Sequence, residues 1–271
     1  MSDVSSGVMP DQRVRSVTVE DSFTGSGRVA TQISLALAWL VMLGVTALWV
    51  SGGGIQEVFS SATGLFTSLG RLTGLLASAA LLIQLVMMSR VPWLEQAWGQ
   101  DELACGHRLV GLTSFTGLLV HIALITIGYA AAQPARLWST AVDLTLNYPS
   151  MLLAVAGTVA LCLVVFTSVR AARRRLRYES WHLIHLYGYL GAGLVLPHQL
   201  WTGQNFLTSP VATVFWWGLW GLTAALFLMI RIASPLWRSR RANRWPVLPV
   251  ALPHPSGLDA GDPVLTSTSQ V

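Results

Sequence analysis

Charge is what this sequence most lacks. Acidic and basic side chains make up 11% of its 271 residues, less than half the share of about a quarter usual in a soluble domain, while 53% of the residues are hydrophobic. Lysine is missing altogether: the 17 basic residues are all arginine, against 12 acidic ones, for a formal charge of +5. With a mean hydropathy of +0.56, the composition excludes an ordinary soluble domain and points to an integral membrane protein whose main partner is the lipid bilayer. The arginines then bear on topology, and nucleic-acid binding is not indicated. Cysteine is nearly absent too. Cys105 and Cys162 fall in apolar segments without CxxC spacing, which argues against a disulfide framework or a thiolate metal site. The first thirty residues lack an apolar run and a small-residue cleavage site, so no signal peptide is expected and the first membrane helix serves for insertion.

What is present is a set of long apolar runs. A bilayer core requires about 20 mostly apolar residues per helix, and six segments qualify, at about 31–51, 70–89, 107–130, 150–170, 181–200 and 211–231. The expected fold is all-α, a six-transmembrane-helix bundle, and the even count puts both termini on one side. Arg13, Arg15 and Arg28 precede the first span, Arg90 follows the second, and Arg170, Arg173, Arg174, Arg175 and Arg177 separate the fourth and fifth. Arg231, Arg238, Arg240, Arg241 and Arg244 follow the sixth, leaving Arg71 and Arg136 for the opposite side. The positive-inside bias therefore places both termini in the cytoplasm of a multi-pass cell-membrane protein. Residues 1–30 read as a polar cytoplasmic segment and 31–231 as the membrane domain. Residues 232–271, basic and then proline-rich, read as a disordered tail in which His254 is a solvated bystander. Trp181, Trp201, Trp216, Trp217 and Trp220 fit interfacial aromatic belts, and Gly111, Gly117, Gly188, Gly191 and Gly193 allow close helix approach or leave room for a flat ligand.

The fifth span contains "HLIHLYGYLGAGLVLPH", three histidines in a run without a charged side chain. A titratable ring in hydrocarbon is costly unless something satisfies it, so such histidines mark a functional site by default. On the third span His107 and His121 are 14 positions apart, nearly on one helix face and roughly 21 Å apart in depth. On the fifth, His185 and His198 are 13 apart, roughly 20 Å in depth. Both helices run in the same direction, so His107 stands level with His185 and His121 with His198. Two facing imidazoles can fill both axial positions of a haem iron, which yields an electron carrier with no open coordination site. His182 is the rival of His185, but its separation from His198, roughly 24 Å, matches the other ladder less well. Thirteen residues leave His198 off the face of His185 on an ideal helix, and Pro197 can bend or rewind the segment to correct this. Capping, interfacial placement and a proton relay remain the competing readings. A transporter using the same histidines as proton sites is disfavoured by the absence of any carboxylate within the six spans.

These residues resemble the ferric reductase-like transmembrane domain shared by ferric reductases and NADPH oxidases. The resemblance covers about residues 30–235, and "GRLTGLL" and "YESWHLIHLYGYLGAGLVLPHQLWTG" look like actinobacterial members. It implies two b-type haems (heme b), the inner held by His107 and His185 and the outer by His121 and His198. It implies oxidoreductase activity, electrons passing from a cytoplasmic donor to ferric iron, oxygen or a periplasmic protein. Haem propionates prefer arginine, and Arg71 and Arg108 stand at suitable depths. The sequence departs from many members after the sixth span, where no FAD- and NAD(P)H-binding module follows. The only dinucleotide-like string, "GSGRVA", precedes a membrane helix rather than following a strand. Either the chain is a truncated piece of a longer one, or FAD and NAD(P)H would act only through a partner chain, a cytoplasmic flavoprotein reductase, or a quinol would donate instead. Haem-only membrane subunits serving methionine sulfoxide reductases are a similar variant, so a cytochrome b subunit for a periplasmic partner enzyme is the alternative function.

Overall fold

The apolar segments fold as helices because an isolated chain in hydrocarbon can satisfy its backbone only internally. The computed structural model describes residues 11–169, 173–203, 209–233 and 235, with side chains from residue 27 onward except at 232. Arg170, Arg238, Arg240, Arg241, Arg244, His254 and the side chains of Arg13 and Arg15 lie outside the described residues. The elements in order are α1 (Asp11–Ser51), α2 (Gly54–Val58), α3 (Ala62–Met87), α4 (Pro92–Trp98), α5 (Gln100–Ala130), α6 (Leu137–Asn147), α7 (Met151–Ser168), α8 (Tyr178–Thr202) and α9 (Pro210–Leu228). A 3-10 turn, Pro134–Arg136, precedes α6, a π-helical turn, Met229–Ala233, follows α9, and there is no strand among the described residues.

Local chemistry sets several boundaries. Ser61 caps α3 by accepting the Gly64 amide at 3.0 Å, and Ser209 with Pro210 at the first helical position starts α9. Gly99, at φ +76, makes the left-handed break between α4 and α5.

Five helices are long and apolar enough to cross a membrane: Gly27–Ser51, Ala62–Met87, Gln100–Ala130, Met151–Ser168 and Pro210–Arg231. The remaining expected span, 181–200, lies within α8, whose 25 residues reach roughly 37 Å at 1.5 Å each. Its histidines, tyrosines, Pro197 and Gln199 lower its hydropathy below that of the other five. Large apolar side chains such as Leu40, Leu43, Phe166 and Val214 point outward and are exposed, as expected of surfaces that face lipid tails.

Lipid is as apolar as leucine, so helix pairing here depends on close packing and hydrogen bonds more than on hydrophobic burial. α3 packs antiparallel along α5, and α7 along α8. A Cβ on Gly157 would meet the Gly191 carbonyl at 2.8 Å, and one on Gly191 would meet the Gly157 carbonyl at 3.1 Å, so these two glycines let α7 and α8 approach. Ser114 Oγ donates to the Ala77 carbonyl at 2.9 Å and pins α5 to α3. Val45, Ala79 and Trp216 form a buried cluster joining α1, α3 and α9. Trp216 is 1% exposed and is a core residue, not part of an interfacial belt; its bulk fills the space beside Ala79. The α3/α5 pair and the α7/α8 pair scarcely touch through their backbones, and a cavity lies between them.

Candidate functional site

The cavity has a volume of about 1550 Å³, above the range of about 300–1,000 Å³ usual for a single small-molecule site. His107 and His121 line it from α5, and His182, His185 and His198 from α8. His107 and His185 face each other with ring centroids 5.9 Å apart and planes at 68°. His121 and His198 are near enough to interact electrostatically. The structure thus brings the four histidines together as two pairs at two levels, and the azimuthal offset expected of His198 does not keep it from His121. Pro197 lies inside α8 just before it, where a missing backbone donor lets a helix bend.

The hydrogen-bond partners determine which ring nitrogen faces the cavity. His121 Nδ1 is 2.7 Å from the Gly70 carbonyl, which can only accept, so Nδ1 carries the proton and Nε2 is a bare lone pair. Thr202 Oγ1 donates its single hydrogen to the His198 carbonyl at 2.6 Å, so it accepts from His198 Nδ1 at 2.7 Å. Ser168 Oγ likewise donates to the Val164 carbonyl at 2.7 Å and accepts from His185 Nδ1 at 3.3 Å. His107 Nδ1 is turned toward the Gln84 backbone but completes no hydrogen bond. α3 therefore orients the His121 ring through the Gly70 carbonyl, whereas His107 has no such anchor. No described residue hydrogen-bonds any of the four Nε2 atoms.

Glycine makes this room. A Cβ on Gly74 would sit 2.5 Å from His121 Nδ1, and one on Gly111 would be 2.6 Å from Gln84 Oε1. Trp181 stacks on His185, centroids 4.9 Å apart at 30°, and the Arg173 guanidinium lies 4.4 Å over the Trp181 ring. His182 instead stacks on Tyr178 at 6.0 Å and 10° and is exposed. Arg71 and Arg108 both line the cavity. Arg71 is ion-paired with Glu57 of α2, and Arg108 is exposed with no ion pair among the described residues. Gln199 Nε2 donates to Ser78 Oγ at 2.7 Å and its Oε1 accepts from Trp220 Nε1 at 3.2 Å, tying α8 to α3 and α9 next to His198.

This donor set suits a metal held axially by two neutral imidazoles. Two nitrogens each about 2 Å from one ion put ring centroids roughly 6 Å apart, close to the separation of His107 and His185. Each Nδ1–H bonded to the protein is the outer support that metal-ligating histidines ordinarily have. Among the described residues no group of three or more His, Cys, Asp or Glu is arranged around a single ion.

Sequence reasoning missed Gly70, Ser168, Thr202 and the stacking of Trp181. Thr202, four residues after His198, and Trp181, four residues before His185, carry a local signal on a shared helix face, although tryptophan is also a residue type that interfaces use. Gly70 and Ser168 come from neighbouring helices.

A family model described as "Ferric reductase like transmembrane component" matches residues 73–196. The matched segment includes His107, His121 and His185 and stops two residues before His198. No curated protein and no solved structure matches the chain.

Proposed function

From the premise that residues 73–196 form a ferric reductase like transmembrane component, we propose that this protein carries electrons across the membrane through two b-type haems. His107 with His185 holds the inner haem and His121 with His198 the outer. α8 is the sixth span, and both termini are cytoplasmic by the arginine distribution. The observation that carries this reading is the tautomer pattern: the Nδ1 atoms of His121, His185 and His198 are engaged by the protein, which leaves their Nε2 atoms as ligands for the cavity that His107 also lines.

When bound, the haem supplies a reversible one-electron couple at iron. The chain's residues do the rest. His107 with His185 and His121 with His198 would hold the two irons through paired imidazoles, which would leave no open coordination site for oxygen or substrate. α5 and α8 hold the two levels roughly 20 Å apart in depth. The lipid-facing shell of Leu40, Phe166, Val214 and their neighbours keeps the route dry. Arg108 beside the inner level and Arg71 beside the outer offer cations to the carboxylates of the cofactor. Exposed Arg174, Arg175 and Arg177 between α7 and α8 make a basic face suited to docking an acidic flavoprotein. The donor is such a flavoprotein or a quinol, and ferric iron, oxygen or a periplasmic protein takes the electron outside.

The test is a pyridine haemochrome assay on purified protein, with reduced-minus-oxidised spectra. The expected result is two b-type haems per chain, both low-spin and six-coordinate. A protein purified from haem-replete cells without haem would overturn the proposal.

A further inference from the structure

The link between α5 and α7 carries a helix too short to cross the membrane. α6 has 11 residues and reaches roughly 16 Å at 1.5 Å each, about half of a hydrocarbon core of roughly 30 Å. It joins the ends of two candidate spans, Gln100–Ala130 and Met151–Ser168, and packs on both, so it stays at one membrane surface. Its sequence, LWSTAVDLTLN, sorts into three stripes at helical spacing. Ala141, Leu144 and Thr145 turn inward and line the histidine cavity, with Leu144 buried. Ser139, Asp143 and Asn147 are exposed, and Asn147 Nδ2 donates to Asp143 Oδ1 at 2.6 Å. Trp138, Val142 and Leu146, each one residue before a member of the polar stripe, are exposed as well, Trp138 by 81%.

The spans on either side show what covers this third stripe. At the same end of the membrane Ile127 on α5 and Leu152 and Leu153 on α7 are exposed, and none of them lines the cavity. The stripe therefore continues the lipid-facing surface of the two helices it joins. A helix with an exposed apolar face beside a polar one lies in the plane of the interface, its apolar side in the boundary between headgroups and acyl chains. The polar stripe carries Asp143 and no cation, so apolar burial, not attraction to anionic headgroups, has to hold it there.

We propose that α6 is docked on the bilayer itself, with Trp138, Val142 and Leu146 seated among the acyl chains just below the headgroups and Ser139, Asp143 and Asn147 facing water. By the arginine distribution this is the outer leaflet. The helix is then a wall of the histidine cavity that has protein on one side and lipid on another. The docking follows from the spans and does not depend on what the cavity holds.

The experiment uses the full chain with its two free cysteines replaced, Cys105→Ala and Cys162→Ala, and one nitroxide-labelled cysteine at a time. Trp138→Cys, Val142→Cys and Leu146→Cys report one stripe, and Ser139→Cys, Asp143→Cys and Asn147→Cys the other, so the comparison survives the loss of any one variant. Each is reconstituted in phosphatidylcholine vesicles, and EPR power saturation compares collisions with oxygen, which concentrates in lipid, and with a water-soluble nickel chelate. Labels on the apolar stripe should favour oxygen and labels on the polar stripe nickel, a several-fold contrast that is unchanged when phosphatidylglycerol is mixed in. Equal access of nickel to both stripes would overturn the proposal, and so would a contrast that requires phosphatidylglycerol. An apolar stripe shielded from both reagents would overturn it in favour of a protein cover, and spin–spin broadening that vanishes on dilution with unlabelled chain would identify that cover as a second copy.

Discussion

At the His121–His198 level both rings are held by 2.7 Å hydrogen bonds, one to a backbone carbonyl of α3 and one to a threonine on the same helix. At the His107–His185 level the only hydrogen bond is the 3.3 Å contact to Ser168, and the Trp181 ring restrains His185 by stacking instead. A hydrogen bond at Nδ1 orients an imidazole and also makes its Nε2 a stronger donor to a metal. A stack orients without changing basicity. The two levels share a ligand set but not a support, so two haems bound there should differ in potential and in sensitivity to mutation.

The sharpest way to break this comparison is to remove a ligand. His185→Ala should leave one haem of two by pyridine haemochrome, whereas His182→Ala should leave both, because His182 is exposed and stacks on Tyr178 rather than facing His107. Loss of haem in His182→Ala with His185→Ala unaffected would reverse the ligand assignment. Nearly as large should be Gly74→Val. Its Cβ would press on the His121 ring, push Nδ1 from the Gly70 carbonyl and deplete the outer haem while the inner one stays. Equal loss at both levels would show that the α3/α5 pair, rather than one ring, had moved.

Smaller effects should separate the two kinds of support. Thr202→Val removes the acceptor for His198 Nδ1 and should weaken haem retention at the outer level by about tenfold, the low end for losing an outer partner of a ligating histidine. It should also raise that haem's midpoint potential. Ser168→Ala should do less, since 3.3 Å is already a long contact and Trp181 remains. A larger effect of Ser168→Ala than of Thr202→Val in a haem-release assay would invert the comparison. The smallest effect is expected for Gln199→Leu, which frees Ser78 and Trp220 of one hydrogen bond each. Between membrane helices these are worth about 0.6 kcal/mol apiece, so a modest fall in thermal stability should appear with both haems retained.

The two ladders were legible in the sequence because depth along a helix is simple arithmetic: 14 residues on α5 and 13 on α8 place rings at matching heights whatever the rest of the bundle does. The partners of those rings were not. The Gly70 carbonyl belongs to a residue with no side chain, and its role depends on how closely α3 packs on α5, which hydropathy does not record. Arg71 was legible as a cation at the right depth, but its ion pair with Glu57 depends on α2 folding back over the start of α3. Trp216 and Trp181 were placed in interfacial belts because tryptophan's commonest position in a membrane helix is at the interface. Trp216 meets Ala79 only through tertiary packing, whereas Trp181 stands four residues before His185 on one helix, a local spacing that the interfacial reading passed over. The hydropathy that located the other spans was weakest for α8, since the side chains that make its site are also those that make it polar.

The seam between α3/α5 and α7/α8 also bears on how the protein is made. Each pair is contiguous in the chain and carries its own small-residue contact, Gly74 against His121 in the first and Gly157 against Gly191 in the second. Each can therefore leave the translocon as a closed hairpin, the first before the second has been synthesised. What remains is a docking of two finished halves, whose facing walls are joined by the Gln199–Ser78 hydrogen bond and otherwise present ring nitrogens to the cavity. If the proposed haems are what joins them, maturation becomes a matter of supply: the last step of assembly would wait on the delivery of a prosthetic group, and a cell short of it would accumulate inserted but unjoined halves, substrates for membrane proteases rather than for the ribosome's own quality control.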